Sequence, residues 1–206
     1  MRERSWLWGL AGLAAVLGLA FALGAANPVA PQQVGTDALG PDPGEPAAQY
    51  LARAAESLAV DGAASRWALV SFDDGSTAAA AAAAVGQARV SQVQFWSLAA
   101  GAQSPLITVS TGASDDPAGL LSGAQALAAA QLEADMSAAV LEGVRATAAA
   151  DLRAGCACVV GVLVRGASGE LREIAERPGV RAVEALPADA VFGRFGLRAL
   201  LPGAGG

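Results

Sequence analysis

Residues Trp6 to Ala26 read WLWGLAGLAAVLGLAFALGAA, 21 consecutive positions without a charged side chain. As a helix such a run is about 32 Å long, which matches the hydrocarbon core of a bilayer. The lipid bilayer is therefore the expected partner of residues 6–26, with Trp6 and Trp8 at the depth of an interfacial aromatic belt. Arg2 and Arg4 precede the run and the next basic residue is Arg53. Positive charge stays on the cytoplasmic side, so residues 1–5 are expected in the cytoplasm and everything after residue 26 outside it. Cleavage of a signal peptide is the competing fate, because ALGAANP offers small residues for a cut near Ala26. The run exceeds the roughly 7 to 15 apolar residues of a signal peptide, which favours a retained, single-pass signal anchor.

Beyond the anchor the chain is acidic and short of catalytic side chains. It has no histidine and no lysine, so all 13 basic residues are arginines. Arginine stays protonated and serves poorly as a base. Without histidine the commonest general base and metal ligand is missing, and without lysine so is Schiff-base and P-loop chemistry. Overall the net charge is −6, which makes nucleic acid a poor partner. No P-loop, dinucleotide-binding glycine fingerprint, nucleophile elbow or zincin motif occurs. These absences argue against an enzyme and imply no cofactor.

Residues 27–46, NPVAPQQVGTDALGPDPGEP, contain five prolines and read as a spacer. An extracytoplasmic α+β domain is expected over 47–200, followed by a flexible tail at 201–206. In AAQYLARAAESLAV, Tyr50, Ala54 and Leu58 share one helical stripe. RWALVSF alternates as a strand does, Asp73-Asp74-Gly75-Ser76 reads as a turn, and Ser76 or Thr77 can cap an alanine helix from Ala78 to Val85. RVSQVQFW is the next strand, which completes a β-α-β unit. The same order returns in CACVVGVLV, ELREIAER and VRAVEAL. Two such units with helices on one face predict a ferredoxin-like sheet. Between them, PLITVS is a short extra strand, and a helix starting at Asp115-Asp116-Pro117 runs to about Arg153. Leu132, Met136, Val140 and Val144 form its apolar ladder, and Gly119, Gly123 or Gly143 is expected to break or bend it. Trp67, Phe95 and Trp96 are expected in the core, and Phe192, Phe195 and Leu197 are expected to dock part of the C-terminal segment.

Both cysteines lie in the stretch GCACVVGVLVR. At i and i+2 of a strand, Cys156 and Cys158 share a face with Cα atoms roughly 6.5 to 7 Å apart, the outer limit for a disulfide. Three readings stay open: small buried hydrophobes, a disulfide, or a functional thiol pair. Two sulfurs alone do not make a zinc site. The doublets Asp73-Asp74 and Asp115-Asp116 offer oxygens for a hard cation, but such residues are ordinary in turns and caps. Glu170, Arg172, Glu173, Glu176 and Arg177 interleave with Leu171 and Ile174, giving either a solvated helix face or a surface for a partner.

Arginine without lysine, richness in alanine and the segments YLARAAESL, RWALVSF, RVSQVQF and PGVRAVEALP together resemble single-pass envelope proteins of high-GC Gram-positive bacteria. That group has no assigned activity, so the resemblance implies a topology over nearly the whole chain and no mechanism. The expected function is that of a membrane-tethered, non-catalytic domain binding another envelope or membrane protein, as an accessory subunit would. A thiol-redox protein using Cys156 and Cys158 is the alternative, and a secreted solute-binding domain is a third reading.

Overall fold

The computed structural model describes residues 37–60, 62, 64–101, 104–134 and 142–203. Residues 1–5, expected as a cytoplasmic tail, residues 6–26, expected as a membrane anchor, and the first part of the expected spacer lie outside them, as do Met136 and Val140 of the helical ladder. No helix among the described residues is long and apolar enough to cross a membrane. In chain order the elements are β1 (Ala38–Leu39), α1 (Ala47–Ser57), β2 (Arg66–Ser76), α2 (Ala78–Val85), β3 (Arg89–Phe95) and β4 (Ile107–Ser110). They continue with α3 (Pro117–Ala134), α4 (Glu142–Arg153), β5 (Val159–Gly166), α5 (Ser168–Ala175), β6 (Val180–Ala185) and β7 (Gly196–Leu197). The class is α+β.

Five strands form one sheet in the order β4-β3-β5-β2-β6, with every neighbouring pair antiparallel. The first strands of the two β-α-β units pair at its centre, with Leu69 opposite Leu163 and Val70 opposite Val162. Each unit's second strand then lies beside the other unit's first strand, so neither unit completes a sheet alone. Valine, leucine and phenylalanine in these segments suit a pleated, buried surface.

Alternation along the strands divides the sheet into two faces. Ala68, Val70, Phe72, Val162, Val164 and Val183 belong to the main core, together with buried residues of α2 to α5. Alanine makes α2 both helix-prone and thin. Its buried Ala78, Ala81, Ala82 and Ala84 leave room for larger side chains such as Phe72 and Phe95 in the same core. On the opposite face Trp67, Leu69, Leu163 and Leu186 pack with Leu39, Phe195 and Leu197. There β1 and β7 form a short parallel pair, and Tyr50 and Ala54 of α1 pack with Ala182 and Leu200. Helix α1 also guards the outer edge of β6: the Ala185 N–H donates to Ser57 Oγ at 2.9 Å.

Several sequence expectations change. Cys156 and Cys158 do not open the strand, which begins at Val159. The closure of α4 at Gly155, a left-handed residue, turns the chain just before the pair. Asp73 to Ser76 is no free turn but a continuation of β2 past an irregularity, with Ser76 paired to Val159. The inserted helical segment supplies two helices, α3 and α4, in keeping with the expected break, and they pack on each other through contacts such as Arg153 Nε to Glu133 Oε1 at 2.6 Å. Residues 37–46, assigned to the spacer by their prolines, supply β1, and Leu39 there is fully buried.

Candidate functional site

The most chemically distinctive place in the domain is the link between α4 and β5. Helix α4 ends where Gly155 adopts φ +78. Its N–H bonds to Leu152 O at 3.1 Å, and the Cys156 N–H bonds back to Asp151 O at 3.3 Å. This paired closure is the Schellman arrangement, which needs a left-handed residue and turns the chain sharply. The turn pulls Cys156 and Cys158 to a Cα separation of 5.2 Å, and the two form a disulfide. A straight strand would have held them farther apart.

Neighbouring elements hold the three-residue loop. The Trp96 N–H at the end of β3 donates to Cys158 O at 2.9 Å. Gly75, at φ +87, lies directly against Ala157 O, where a Cβ would collide with the carbonyl. From α3, Gln125 Nε2 donates to Leu152 O at 3.0 Å and lies 3.8 Å from Cys156 Sγ.

The two sulfurs differ in surroundings. Cys158 is 1% exposed, whereas Cys156 is half-buried between exposed Gly155 and Ala157. Asp151 Oδ2 stands 3.4 Å from Cys158 Sγ and accepts a 2.6 Å hydrogen bond from buried Ser97 Oγ. In the disulfide that sulfur carries no hydrogen, so the 3.4 Å approach is a contact; on reduction it becomes an S–H donor facing a carboxylate. Asp151, Cys156 and Cys158 bring three ligand atoms within 4.8 Å of one another. Joined sulfurs are not thiolates, the form that binds metal. The two acidic doublets contribute to no such group among the described residues. Beside the loop lies an open groove of about 550 Å³ lined by Thr77, Ala78, Ser122, Gln125, Arg153 and Gly155.

The charged positions proposed from sequence as a partner surface are spread along and just after α5. Glu173 and Glu176 are exposed and Glu170 is half-buried. Both arginines reach main-chain carbonyls: Arg172 Nη1 to Leu58 O at 3.4 Å, and Arg177 Nη1 to Ala84 O at 2.7 Å and Ala83 O at 3.1 Å. Arg177 thereby satisfies carbonyls in the last turn of α2, where helices leave them unpaired. These arginines tie α5 and its following turn to the rest of the fold.

Two further clusters were not singled out from sequence. Glu184 is buried, with Oε2 accepting the Gly40 N–H at 2.6 Å and Oε1 paired with Arg53. Arg53 also holds Glu45, at 2.8 Å. Burial pushes the Glu184 carboxyl above its ordinary value despite these bonds. The Arg53 hydrogen bond holds Glu45 below its ordinary value, and burial, then the nearby Glu184 charge, raises the Tyr50 phenol. A glutamate within the apolar run VRAVEAL was the available signal. The second cluster is aromatic. Phe192 is 45% exposed and sits 5.1 Å from the buried Trp67 ring, with Phe195 6.1 Å from Trp67 and the Arg165 guanidinium 5.4 Å over it.

Set against known proteins, the chain matches no family model, and no curated protein or solved structure matches it.

Proposed function

We propose that this chain is a membrane-tethered protein whose ferredoxin-like domain, extended by β4 and the α3–α4 pair, lies outside the cytoplasm and binds another envelope or membrane protein. The aromatic cluster carries the docking part of this reading. Trp67, Phe192 and Phe195 share one patch with Arg165, and exposed Val191 adjoins it. Aromatic and arginine side chains dominate the energetics of protein interfaces, because they bury large areas and still satisfy polar atoms. Phe192 leaves nearly half of its surface for a partner to cover. The disulfide supports the compartment, since disulfides persist in oxidising environments outside the cytoplasm. The apolar run at 6–26 supplies the tether.

A photo-crosslinking residue placed at Phe192 in the full chain, in native membranes, tests the docking surface. The expected result is one discrete adduct, weakened by Arg165→Glu and missing from the same probe at exposed Leu127 on α3. No adduct at Phe192, or the same adducts from both positions, would sink the proposal.

A further inference from the structure

We propose that the Cys156–Cys158 loop is a thiol–disulfide exchange site in which Cys156 is the sulfur that a partner reaches and Asp151 handles the proton of Cys158. The proposal does not depend on the aromatic patch, and its test does not read that surface.

The asymmetry of the pair sets the order of events. An incoming thiolate meets half-buried Cys156 and not Cys158, which is 1% exposed. As its bond to Cys156 Sγ forms, the disulfide bond breaks and the electron pair moves to Cys158 Sγ. That sulfur lies 3.4 Å from Asp151 Oδ2. A thiolate beside a carboxylate and shielded from water is disfavoured by both charge and desolvation. Cys158 therefore leaves as a thiol, taking the proton lost by the incoming thiol through the Asp151 carboxyl. Ser97 is a positioning residue: its 2.6 Å hydrogen bond fixes the same carboxylate oxygen that faces the sulfur.

Each exchange balances. A partner dithiol first forms a mixed disulfide with Cys156 and leaves Cys158 as a thiol. The partner's second thiol then attacks its own sulfur in that mixed disulfide and releases Cys156. The partner loses two electrons and two protons, and the Cys156–Cys158 pair gains them. In the reverse direction Asp151 acts as base, drawing the proton from Cys158 as it attacks a mixed disulfide on Cys156.

The partner class is a cysteine-bearing polypeptide rather than a buried small ligand. Gln125 lines the 550 Å³ groove and also places its amide 3.8 Å from Cys156 Sγ, so a segment lying in the groove passes beside the reactive sulfur. A purely structural role is a poor match for the loop. A cross-link closing three residues constrains the unfolded chain least, and hydrogen bonds from Trp96 and to Asp151 already fix this segment.

The test uses the reduced full chain in detergent with oxidised glutathione, followed by acid quench and intact mass. Cys158→Ser should trap one glutathione on Cys156, and Cys156→Ser should leave Cys158 unmodified or react at least about tenfold more slowly. Asp151→Asn should accumulate the Cys156 mixed disulfide and resolve it about tenfold more slowly at pH 7. That gap should narrow as the pH is raised, because a growing share of Cys158 then ionises without a base beside it. Ser97→Ala should show the same pH signature more weakly, and serves if Asp151→Asn does not fold. Equal modification of the two single-cysteine chains would overturn the proposal, as would wild-type resolution with a wild-type pH profile in the Asp151 variant or, if that does not fold, in the Ser97 variant.

Discussion

Replacing both cysteines by serine should cost the domain little stability, and the amount is set by the size of the loop. The cross-link closes three residues, 156 to 158. In the chain-entropy model its effect on the unfolded state is about 2.1 + 1.5R ln 3, or roughly 5.4 cal/mol/K, which gives about 1.6 kcal/mol at 25 °C. A 15-residue loop would give about 3 kcal/mol on the same model. The native loop does not rely on the bond for its shape, because the Cys156 N–H to Asp151 O and Trp96 N–H to Cys158 O hydrogen bonds remain in the variant. A serine at 158 can donate to Asp151 Oδ2, where Cys158 Sγ makes its 3.4 Å contact. For a domain of this size the loss lowers the melting temperature by about 3–6 °C. Urea unfolding of the full chain in a fixed detergent, wild type against the double variant, measures it. A loss of about 3 kcal/mol or more would refute the reasoning, since the bridge would then be holding the fold and the case for exchange chemistry would weaken.

Other substitutions probe the parts that surround the loop. Gly75→Ala should lose more than Gly155→Ala by urea unfolding: both glycines have positive φ, but only at Gly75 does a Cβ also strike backbone, at Ala157. The shared backbone penalty is about 1–2 kcal/mol, so equal losses would show that Gly75 does not brace the loop. Ser57→Ala should cost about 1–3 kcal/mol by leaving the Ala185 N–H on the β6 edge unpaired, and an unchanged urea midpoint would contradict that. Burial raises the Glu184 carboxyl, so the folded state binds its proton more tightly than the unfolded chain does. Its contribution to stability is therefore full below the ordinary value near 4.5 and is lost as pH rises through the folded value. Glu184→Gln removes that dependence, and the stability of wild type relative to the variant should fall as pH rises from 4.5 through the folded value; a rise would contradict the assignment.

Much of the fold was legible because its segments obey simple periods. RWALVSF and VVGVLV are short runs rich in strand-forming side chains, buried along their length, and they pair at the centre of the sheet. The alanine tract is helical with Thr77 as its cap, Oγ1 accepting the Ala80 N–H at 3.2 Å. Pro117 opens α3, and Asp116 Oδ1 accepts the Gly119 N–H at 3.0 Å. The misreadings share one cause: alternation describes a segment but not the geometry that delivers it. Cys-Ala-Cys alternates like the start of a strand, yet the closure of α4 at Gly155 decides its shape, and a glycine before the pair was the only local hint. Asp151 and Ser97 lie 5 and 59 residues before Cys156, so no spacing rule joins them to it. Likewise Leu39 sits among prolines, and only β7, far along the chain, gives it a buried place.

The most direct test combines tether, compartment and redox state in one measurement: the intact mass of the chain extracted from cell membranes after its free thiols have been blocked at harvest. A tethered, oxidised, extracytoplasmic domain predicts a chain that retains residues 6–26 and carries no blocking groups, with two appearing only after deliberate reduction. A chain beginning after Ala26, or one that already carries two blocked thiols, would contradict it.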